Sequence, residues 1–221
     1  MSEIPIAERL RLSEVYLSVQ GESSKAGLPC VFIRLTGCNL RCSWCDSEYT
    51  FTGGEHRSID DVVAEALAFG VPMIEVTGGE PLAQRQCIPL LERLVAAGAE
   101  VLLETSGSID IQPVPSPVRV ILDLKPPGSG EVGKNRWENL DHLLPHHEIK
   151  FVIADRQDYE WSREVIREHS LADKVDEILL SAVFGELEPA TLVEWMLEDR
   201  LPARLNLQQH KVIWPAAQRG V

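Results

Sequence analysis

Three cysteines lie close together in the N-terminal quarter of the 221-residue chain. Cys38, Cys42 and Cys45 have the spacing C-x3-C-x2-C and are three of its five cysteines. A structural zinc site needs four ligands, and a disulfide framework needs an even number of thiols. A [4Fe–4S] cluster held by only three thiolates keeps one iron free to bind another ligand. The spacing therefore favours an iron–sulfur cluster.

The remaining cysteines leave other ligand sets open. Cys30 or Cys87 is available as a fourth cluster ligand, and Cys30 or His56 as a fourth ligand of a zinc ion. Plain structural thiols are a further alternative, because buried free cysteine packs as a small hydrophobe. Packing is the role we expect for Cys30 and Cys87.

A second motif, EVTGGEP (75–81), ends an apolar run with two glycines and a glutamate. Glycine lets the backbone approach a ligand closely, and free carbonyls together with a carboxylate can hold an ammonium group. A tight Gly-Gly turn before a helix is the alternative interpretation of this motif.

The elements that must position both motifs are short apolar runs that alternate with amphipathic stretches. The predicted strands are 15–20, 31–37, 73–79, 101–107, 118–125, 148–154, 177–183 and 204–209. The predicted helices are SIDDVVAEALAFG, with Ser58 as N-cap and Gly70 at its end, IPLLERLVAAG, QDYEWSREVIREHS and EPATLVEWMLED.

Alternation of strands and helices predicts an α/β fold with a parallel sheet and right-handed crossovers. Because strands outnumber helices, we expect an incomplete or modified TIM-type barrel, with a doubly wound open sheet as the alternative. Both motifs follow predicted strands, and active sites of such folds lie at the C-terminal ends of parallel strands. We expect one domain spanning residues 1–221.

Composition excludes several classes of protein. The net charge of −13 disfavours a nucleic-acid partner, since DNA- and RNA-binding proteins usually carry a basic patch. No run of eighteen apolar residues is present, and the N-terminus has charges where a signal peptide needs an apolar core. We expect a cytoplasmic enzyme with a small-molecule substrate and no membrane partner.

The two motifs in this order resemble the radical S-adenosylmethionine (SAM) superfamily. The resemblance implies that Cys38, Cys42 and Cys45 ligate three irons of a [4Fe–4S] cluster whose free iron chelates SAM. It also implies that the GGEP motif contacts the methionine amine, and that SAM is cleaved reductively to a 5′-deoxyadenosyl radical. The expected fold is a β6/α3-like parallel barrel.

The flanking residues are similar to the 7-carboxy-7-deazaguanine synthase family of queuosine biosynthesis. The similarity rests on segments spread over nearly the whole chain: 14–51, TGGEPL (77–82), LETSG (103–107), DLKPPGSG (123–130), IKFVI (149–153) and LNLQQHKVIW (205–214). It implies a carbon–nitrogen lyase that rearranges 6-carboxy-5,6,7,8-tetrahydropterin to 7-carboxy-7-deazaguanine with loss of ammonia. The radical takes the C6 hydrogen, and SAM is regenerated. Mg²⁺, a homodimer and a reductant protein such as a flavodoxin are further implications.

The resemblance assigns roles to individual residues. Residues implied at the SAM site are Trp44, Cys45, Asp46, Gly79, Glu80, Ser106, Asp123 and Lys125. Residues implied at the substrate are Val19, Gln20, Gly21, Glu22, Arg34, Thr77, Gln208 and His210, the last two in a C-terminal strand. Ser47 stands where relatives commonly have threonine as the Mg²⁺ ligand, and Ser23 stands where they have glycine. A hydroxyl oxygen suits Mg²⁺.

Alternatives to these roles remain open. Arg34 is expected to pair with Asp46 or Glu48 if it does not bind substrate. Asp123 and Lys125 can simply pair with each other, Glu22 can cap a turn, and His210 can be a structural histidine. Residues 215–221 are expected to close over the substrate. The rival functions are another small radical SAM enzyme, such as a glycyl-radical activating enzyme, and a non-enzymatic metal-binding module.

Overall fold

The computed structural model describes residues 9–216 and 218–221 of the chain. Its strands are β1 Arg9–Val19, β2 Pro29–Leu35, β3 Glu55–Ser58, β4 Met73–Gly78, β5 Glu100–Thr105, β6 Arg119–Asp123, β7 Glu148–Ile153, β8 Glu177–Ala182 and β9 Arg204–Leu205. Its helices are α1 Ile59–Ala68, α2 Cys87–Ala96, α3 Arg156–Glu168, α4 Pro189–Asp199 and α5 Gln209–Ile213.

The strands form one sheet in the order β3-β1-β2-β4-β5-β6-β7-β8-β9. Strand β1 runs antiparallel to both of its neighbours, whereas all pairs from β2 to β9 are parallel. The described sheet is open, because its outermost strands, β3 and β9, do not pair with each other. This topology confirms the predicted α/β class and the incomplete, largely parallel barrel.

The two faces of the sheet have different coverings. Along β2, Val31, Ile33 and Leu35 point into the main hydrophobic core, which also contains buried side chains of α1 to α4. The alternate residue Phe32 belongs to a small second cluster made only of strand residues. Helices therefore cover one face, as in a barrel, and the doubly wound alternative is wrong because it needs helices on both faces.

Helix ends follow the signals in the sequence. The Ser58 hydroxyl accepts a hydrogen bond from the backbone N–H of Asp61 at 3.0 Å, which caps α1. Beyond the last turn, Gly70 adopts a positive φ of 74° that L side chains rarely take. The Asp155 carboxylate caps α3 in the same way, by accepting from the Asp158 N–H.

All described helices are short. The longest of them, α3, has 13 residues. A bilayer-spanning helix needs about 20 apolar residues. Accordingly, no helix in residues 9–216 and 218–221 is long and apolar enough to cross a membrane.

The C-terminal strand predicted for 204–209 is wrong beyond Leu205. Only two residues pair with β8, after which the Asn206 N–H donates to the Leu180 carbonyl at 2.8 Å. The Gln209 N–H then donates to the Gly21 carbonyl at 2.8 Å, outside the sheet, and helix α5 begins there. The Asn206 bond still joins the chain to β8, and it is the Gln209–Gly21 bond and the start of α5 that take the chain off the sheet, so the predicted site residues of this segment lie around a helix.

The buried imidazole of His147 gives the fold a predicted dependence on acid. His147 is 4% exposed, and its Nδ1 accepts from the Leu144 N–H at 3.2 Å, a contact that protonation of Nδ1 would remove. Burial first, and the neighbouring His146 second, lower the pKa of His147 to about 4. As the pH falls, the imidazole is therefore protonated in the unfolded chain before it is protonated in the folded protein. The free energy of unfolding falls as the pH drops from about 6.5 towards 4.

Replacement of His147 by asparagine keeps an acceptor for Leu144 and removes the titration. Between pH 7 and pH 5 we expect the free energy of unfolding of the natural protein to fall by about 1 kcal/mol more than that of His147→Asn. This value is reduced to allow for solvent screening. Urea unfolding at both pH values measures the difference. Equal losses in the two proteins would contradict the prediction.

Candidate active site

A cavity of about 820 Å³ opens on the face of the sheet that the helices leave uncovered. Strands β1, β2 and β4 to β8 contribute to its wall, together with the cysteine loop and the C-terminal segment. Of the residues to which the sequence assigned a role, those bordering it are Val19, Gln20, Gly21, Glu22, Arg34, Cys38, Cys42, Trp44, Cys45, Asp46, Ser47, Thr77, Gly79, Ser106, Asp123, Lys125, Gln208 and His210.

The cysteine loop begins directly after β2. Cys38, Cys42 and Cys45 are all half-buried at the cavity wall, and the Cys45 N–H donates to the Cys42 carbonyl at 3.2 Å. The loop is anchored by Ser43, whose N–H donates to the Ser129 carbonyl at 3.0 Å. The fold thus holds three thiols on one short loop facing the cavity.

This donor set fits a cluster better than a single ion. Within the described part of the chain, no three His, Cys, Asp or Glu side chains converge closely enough to hold one metal ion. Cys30 and Cys87 are fully buried and do not border the cavity, and His56 lies on the outer strand β3. Neither zinc alternative therefore has a fourth ligand. Three thiols spread along one loop suit a group with several metal corners.

Charge beside the loop supports thiolate ligation. Burial raises the pKa of Cys42 to about 11, and Lys125 opposes this rise. Since a cluster binds the thiolate, ligation must release the proton, and the Lys125 ammonium stabilises the charge that results. Burial disfavours the charge of Lys125 itself, but Asp123 outweighs burial and raises the pKa of Lys125.

Asp123 and Lys125 pair with each other, as the alternative interpretation foresaw. The Lys125 Nζ lies 2.8 Å from Asp123 Oδ2. However, Asp123 Oδ1 is buried and has no hydrogen-bond partner. An unsatisfied acceptor on a cavity wall is costly unless a ligand donates to it. This atom fits a cofactor rich in hydroxyl and amino groups, such as SAM.

Gly79 brings the end of β4 against the cysteine loop. A Cβ at this position would lie 2.7 Å from the carbonyl carbon of Gly37 and 2.9 Å from the Cβ of Cys38. Both distances are shorter than real Cβ contacts, and one of them involves backbone that cannot rotate away. Glycine is required at position 79 because the backbone at the end of β4 lies directly against the backbone of Gly37.

We expect Gly79→Ala to displace the cysteine loop. SAM binding should weaken about tenfold or more, roughly 1.4 kcal/mol, with lower iron content after reconstitution. Equilibrium binding of SAM and iron analysis measure the two effects. Gly133→Ala is the matched control, because a Cβ there meets open space. Equal behaviour of the two variants would contradict this account of Gly79.

The Glu80 side chain, assigned to the SAM site, points away from the cavity. Its side chain is fully buried and does not border the cavity. Its carboxylate accepts from the N–H groups of Leu82 and Ser106 at 2.9 and 2.8 Å, and from the hydroxyls of Thr105 and Ser106 at 2.9 and 2.6 Å. Four donors use its acceptor capacity. The Glu80 side chain therefore joins the ends of β4 and β5, and contact of this residue with the cofactor stays a prediction.

A buried ion cluster lies deeper on the same face of the sheet. Lys150 Nζ on β7 lies 2.6 Å from a carboxylate oxygen of Glu22 and 2.6 Å from one of Glu104 on β5. Burial opposes the charges of Glu22 and Lys150, but Lys150 together with Gln208 lowers the pKa of Glu22, while Glu104 and Glu22 raise that of Lys150. Glu22 therefore holds an ion pair rather than capping a turn.

Sequence reasoning assigned no site role to three members of this region, Glu75, Glu104 and Lys150. Each is a charged residue inside an otherwise largely apolar strand, at MIEV, VLLE and EIKF. A charge buried in a strand needs a partner, so these positions were an available signal of a polar inner face.

Arg34 forms contacts that the sequence did not predict. Its Nε donates to Glu14 Oε1 at 2.9 Å, and its Nη2 donates to the Tyr16 hydroxyl at 3.0 Å. The expected alternative partners, Asp46 and Glu48, are not the ones observed. The guanidinium still borders the cavity and keeps its charge.

Helix α5 closes one side of the cavity. The Gln208 amide donates to Glu22 at 2.9 Å, and a Cβ added to Gly21 would clash with the His210 ring. These two predicted residues thus reach the site from the cap and first turn of a helix, not from a strand.

The same helix reaches the end of the cysteine loop. Lys211 Nζ lies 2.7 Å from Asp46 Oδ2, while the Ser47 hydroxyl donates to Asp46 Oδ1 at 3.0 Å. Partial burial opposes the Asp46 charge, but Lys211 and the Ser47 hydroxyl together hold the pKa of this half-exposed carboxyl below its usual range. Lys211 is a contact that sequence reasoning did not single out.

The chain terminus borders the cavity as well. Ala216 and residues 218–221 line it, and the Arg219 guanidinium lies 3.9 Å from the centroid of the Tyr49 ring. Residue 217, within the segment 215–221 expected to close over the substrate, lies outside the described residues. Closure of this segment over the substrate stays a prediction.

Comparisons with known proteins agree with this site. The model of the radical SAM superfamily matches residues 32–130. The chain is 51% identical to 7-carboxy-7-deazaguanine synthase of Koribacter versatilis, over 96% of this chain and 100% of the relative, and 44% identical to that of Chlorobaculum tepidum, over 96% and 97%. The crystal structure of QueE from Escherichia coli shares the fold, with a TM-score of 0.72 and 24% identity over 91% of this chain and 95% of that chain. The chain belongs to the 7-carboxy-7-deazaguanine synthase family of radical SAM enzymes.

Proposed function

We propose that the chain converts 6-carboxy-5,6,7,8-tetrahydropterin to 7-carboxy-7-deazaguanine with loss of ammonia, in queuosine biosynthesis. The observation that carries the proposal is the near full-length similarity to synthases of this name. A cavity with three thiols near its rim and paired charges deeper inside supports it.

The residues around the cysteine loop suit the two cofactors of the family, a [4Fe–4S] cluster and SAM. Cys38, Cys42 and Cys45 would hold the cluster. When bound, the cluster and SAM supply a radical able to abstract hydrogen from carbon. The chain's own part is to place that chemistry beside the substrate: Gly79 lets β4 meet the loop, and Asp123 offers its unpaired oxygen.

A second group of residues suits the pterin. The N–H groups of the pterin ring and its amino group are hydrogen-bond donors, and the Glu22 carboxylate can accept from them. The Gln20 amide lies beside Glu22. Thr77 lies on β4 facing the same space and donates to Glu104 at 3.3 Å. Arg34 would attract the substrate carboxylate by its charge, with Glu14 and Tyr16 holding its orientation.

The proposal includes Mg²⁺ at Ser47. The Ser47 hydroxyl and the Asp46 carboxylate are hard oxygen donors of the kind that Mg²⁺ prefers. Both already contact each other, and Lys211 neutralises Asp46. Fit to Mg²⁺ therefore depends on further oxygens, for which the substrate carboxylate and water are the candidates.

We further propose a homodimer, a flavodoxin-like reductant and a single domain spanning 1–221. Reduction of the cluster needs a one-electron donor. Leu207, Val212 and Ile213 expose 44%, 79% and 56% of their area around α5, which supports an interface there. One continuous sheet and a main core running from Leu10 to Leu201 support the single domain.

Anaerobic turnover tests the proposal. The reconstituted protein is mixed with SAM, a reductant, Mg²⁺ and 6-carboxytetrahydropterin, and the products are separated chromatographically. Appearance of 7-carboxy-7-deazaguanine supports the assignment. Cleavage of SAM to 5′-deoxyadenosine without deazaguanine would overturn the substrate and favour the activating-enzyme alternative, which acts on a protein.

A further inference from the structure

Glu75 is a buried carboxyl group at the cavity wall that no part of the proposed chemistry uses. It lies on β4, is 3% exposed and borders the cavity. Its Oε2 accepts a hydrogen bond from the side-chain amide of Gln20. The ammonium of this region, Lys150, lies 2.6 Å from Glu22 and from Glu104, and the ion pairs of the described residues do not include Glu75.

The surroundings of Glu75 oppose a negative charge. The titratable groups that face it are Tyr16 on β1, Glu22 on the following loop, Cys30 and Arg34 on β2, Glu104 on β5 and Lys150 on β7. Burial first, then Glu104 and Glu22, raise the pKa of Glu75 well above its usual value, and Lys150 and Arg34 offset this only in part. These surroundings favour the neutral acid over the carboxylate.

Gln20 connects Glu75 to the loop after β1. The Gln20 Oε1 accepts from the Glu22 N–H at 2.8 Å, which fixes the orientation of the amide and directs its Nε2 to Glu75. The Gln20 backbone donates to the Leu28 carbonyl and accepts from the Gly27 N–H, each at 2.8 Å. Glu75 thus holds the side chain that closes this loop next to Glu22.

We propose that Glu75 is a positioning residue for substrate binding, which holds Gln20 and Glu22 in place as a neutral carboxylic acid. The inference rests on the proposed function and deepens it. An ionised Glu75 would put a third negative charge beside Glu22 and Glu104 and compete with them for Lys150. The neutral acid accepts from Gln20 and leaves the Lys150 ammonium to the other two carboxylates.

Two substitutions separate the parts of this proposal. Glu75→Gln keeps the shape, the acceptor and the neutral charge, whereas Glu75→Leu removes the acceptor. We expect Glu75→Leu to raise KM for the pterin about tenfold or more, equivalent to ~1.4 kcal/mol, while Glu75→Gln raises it about threefold or less. The exposed Glu92→Gln on α2 is the matched control for the chemical change and leaves KM unchanged.

Infrared spectroscopy at pH 7 tests the protonation state without substrate. The natural protein should show the carbonyl stretch of a protonated carboxylic acid, which Glu75→Gln lacks and Glu92→Gln keeps. The proposal would be overturned if Glu75→Gln showed the same carbonyl band as the natural protein. It would also be overturned if KM rose equally in the Gln and Leu variants. Absence of deazaguanine from the natural protein would instead overturn the proposed function, because the infrared result does not depend on the substrate.

Discussion

Replacement of Cys42 by alanine is expected to abolish both cluster assembly and SAM cleavage. Cys42 is the middle thiol of the loop that borders the cavity, and no other thiol can replace it, since Cys30 and Cys87 are fully buried away from the cavity. With two thiolates the loop cannot hold three corners of a [4Fe–4S] cluster. Iron and sulfide content after anaerobic reconstitution, and formation of 5′-deoxyadenosine, measure the loss.

Cys87→Ala is the matched control, because it removes the same atom from a different place. This thiol lies at the start of α2 in the main core, where burial raises its pKa and keeps it protonated. We expect a modest loss of stability, about 1 kcal/mol, with a full complement of iron. If Cys42→Ala retained iron and Cys87→Ala lost it, the ligand assignment would have to be abandoned.

Replacement of Lys150 by methionine should have the largest effect on stability. Methionine preserves the length of the side chain but leaves Glu22 and Glu104 without their shared cation in a buried position. Breaking a buried ion pair from one side costs about 3–5 kcal/mol, because the remaining charge stays unpaired. Urea unfolding at pH 7 measures the loss, and turnover should fall with it.

The acid dependence of this variant should change as well. In the natural protein Lys150 lowers the folded-state pKa of Glu22. The ion pair therefore stabilises the fold at pH values above the unfolded-state pKa of Glu22, and this stabilisation disappears as the pH falls through the folded-state pKa. Lys150→Met should lose that dependence. The matched control is Lys25→Met, whose partner Glu100 is 2.6 Å away but 46% exposed, and which should cost at most about 1 kcal/mol. Equal losses in the two variants would contradict the buried-cluster account.

Local signals in the sequence were sufficient for most elements. Helix α1 begins after its cap at Ser58 and ends before Gly70, as predicted, because capping depends on residues within one turn. The 204–209 segment shows the limit of such reasoning. Its apolar residues suit a strand, but after Asn206 a hydrogen bond from Gln209 to the distant Gly21 holds the chain away from the sheet.

The motif residues show the same division. The spacing of three cysteines and the GGEP sequence identified the chemistry, because a cluster and its cofactor demand particular side chains at short separations. The sequence could not reveal that Glu80 is turned away from the cavity. Three of its four donors come from Thr105 and Ser106, 25 and 26 positions away, and only the pairing of β4 with β5 brings these to it.

The sequence alone determined the superfamily chemistry and the α/β class, and all but one of the site residues that it named border the cavity, since these depend on residue type, spacing and strand-end position. Only the tertiary structure decided how charges combine on the inner face. Glu22, Glu75, Glu104 and Lys150 come from four separate segments, and whether each is paired, shared or neutral depends on distances of a few ångströms between them. Electrostatic interactions in a buried region vary steeply with such distances, and no local pattern encodes them.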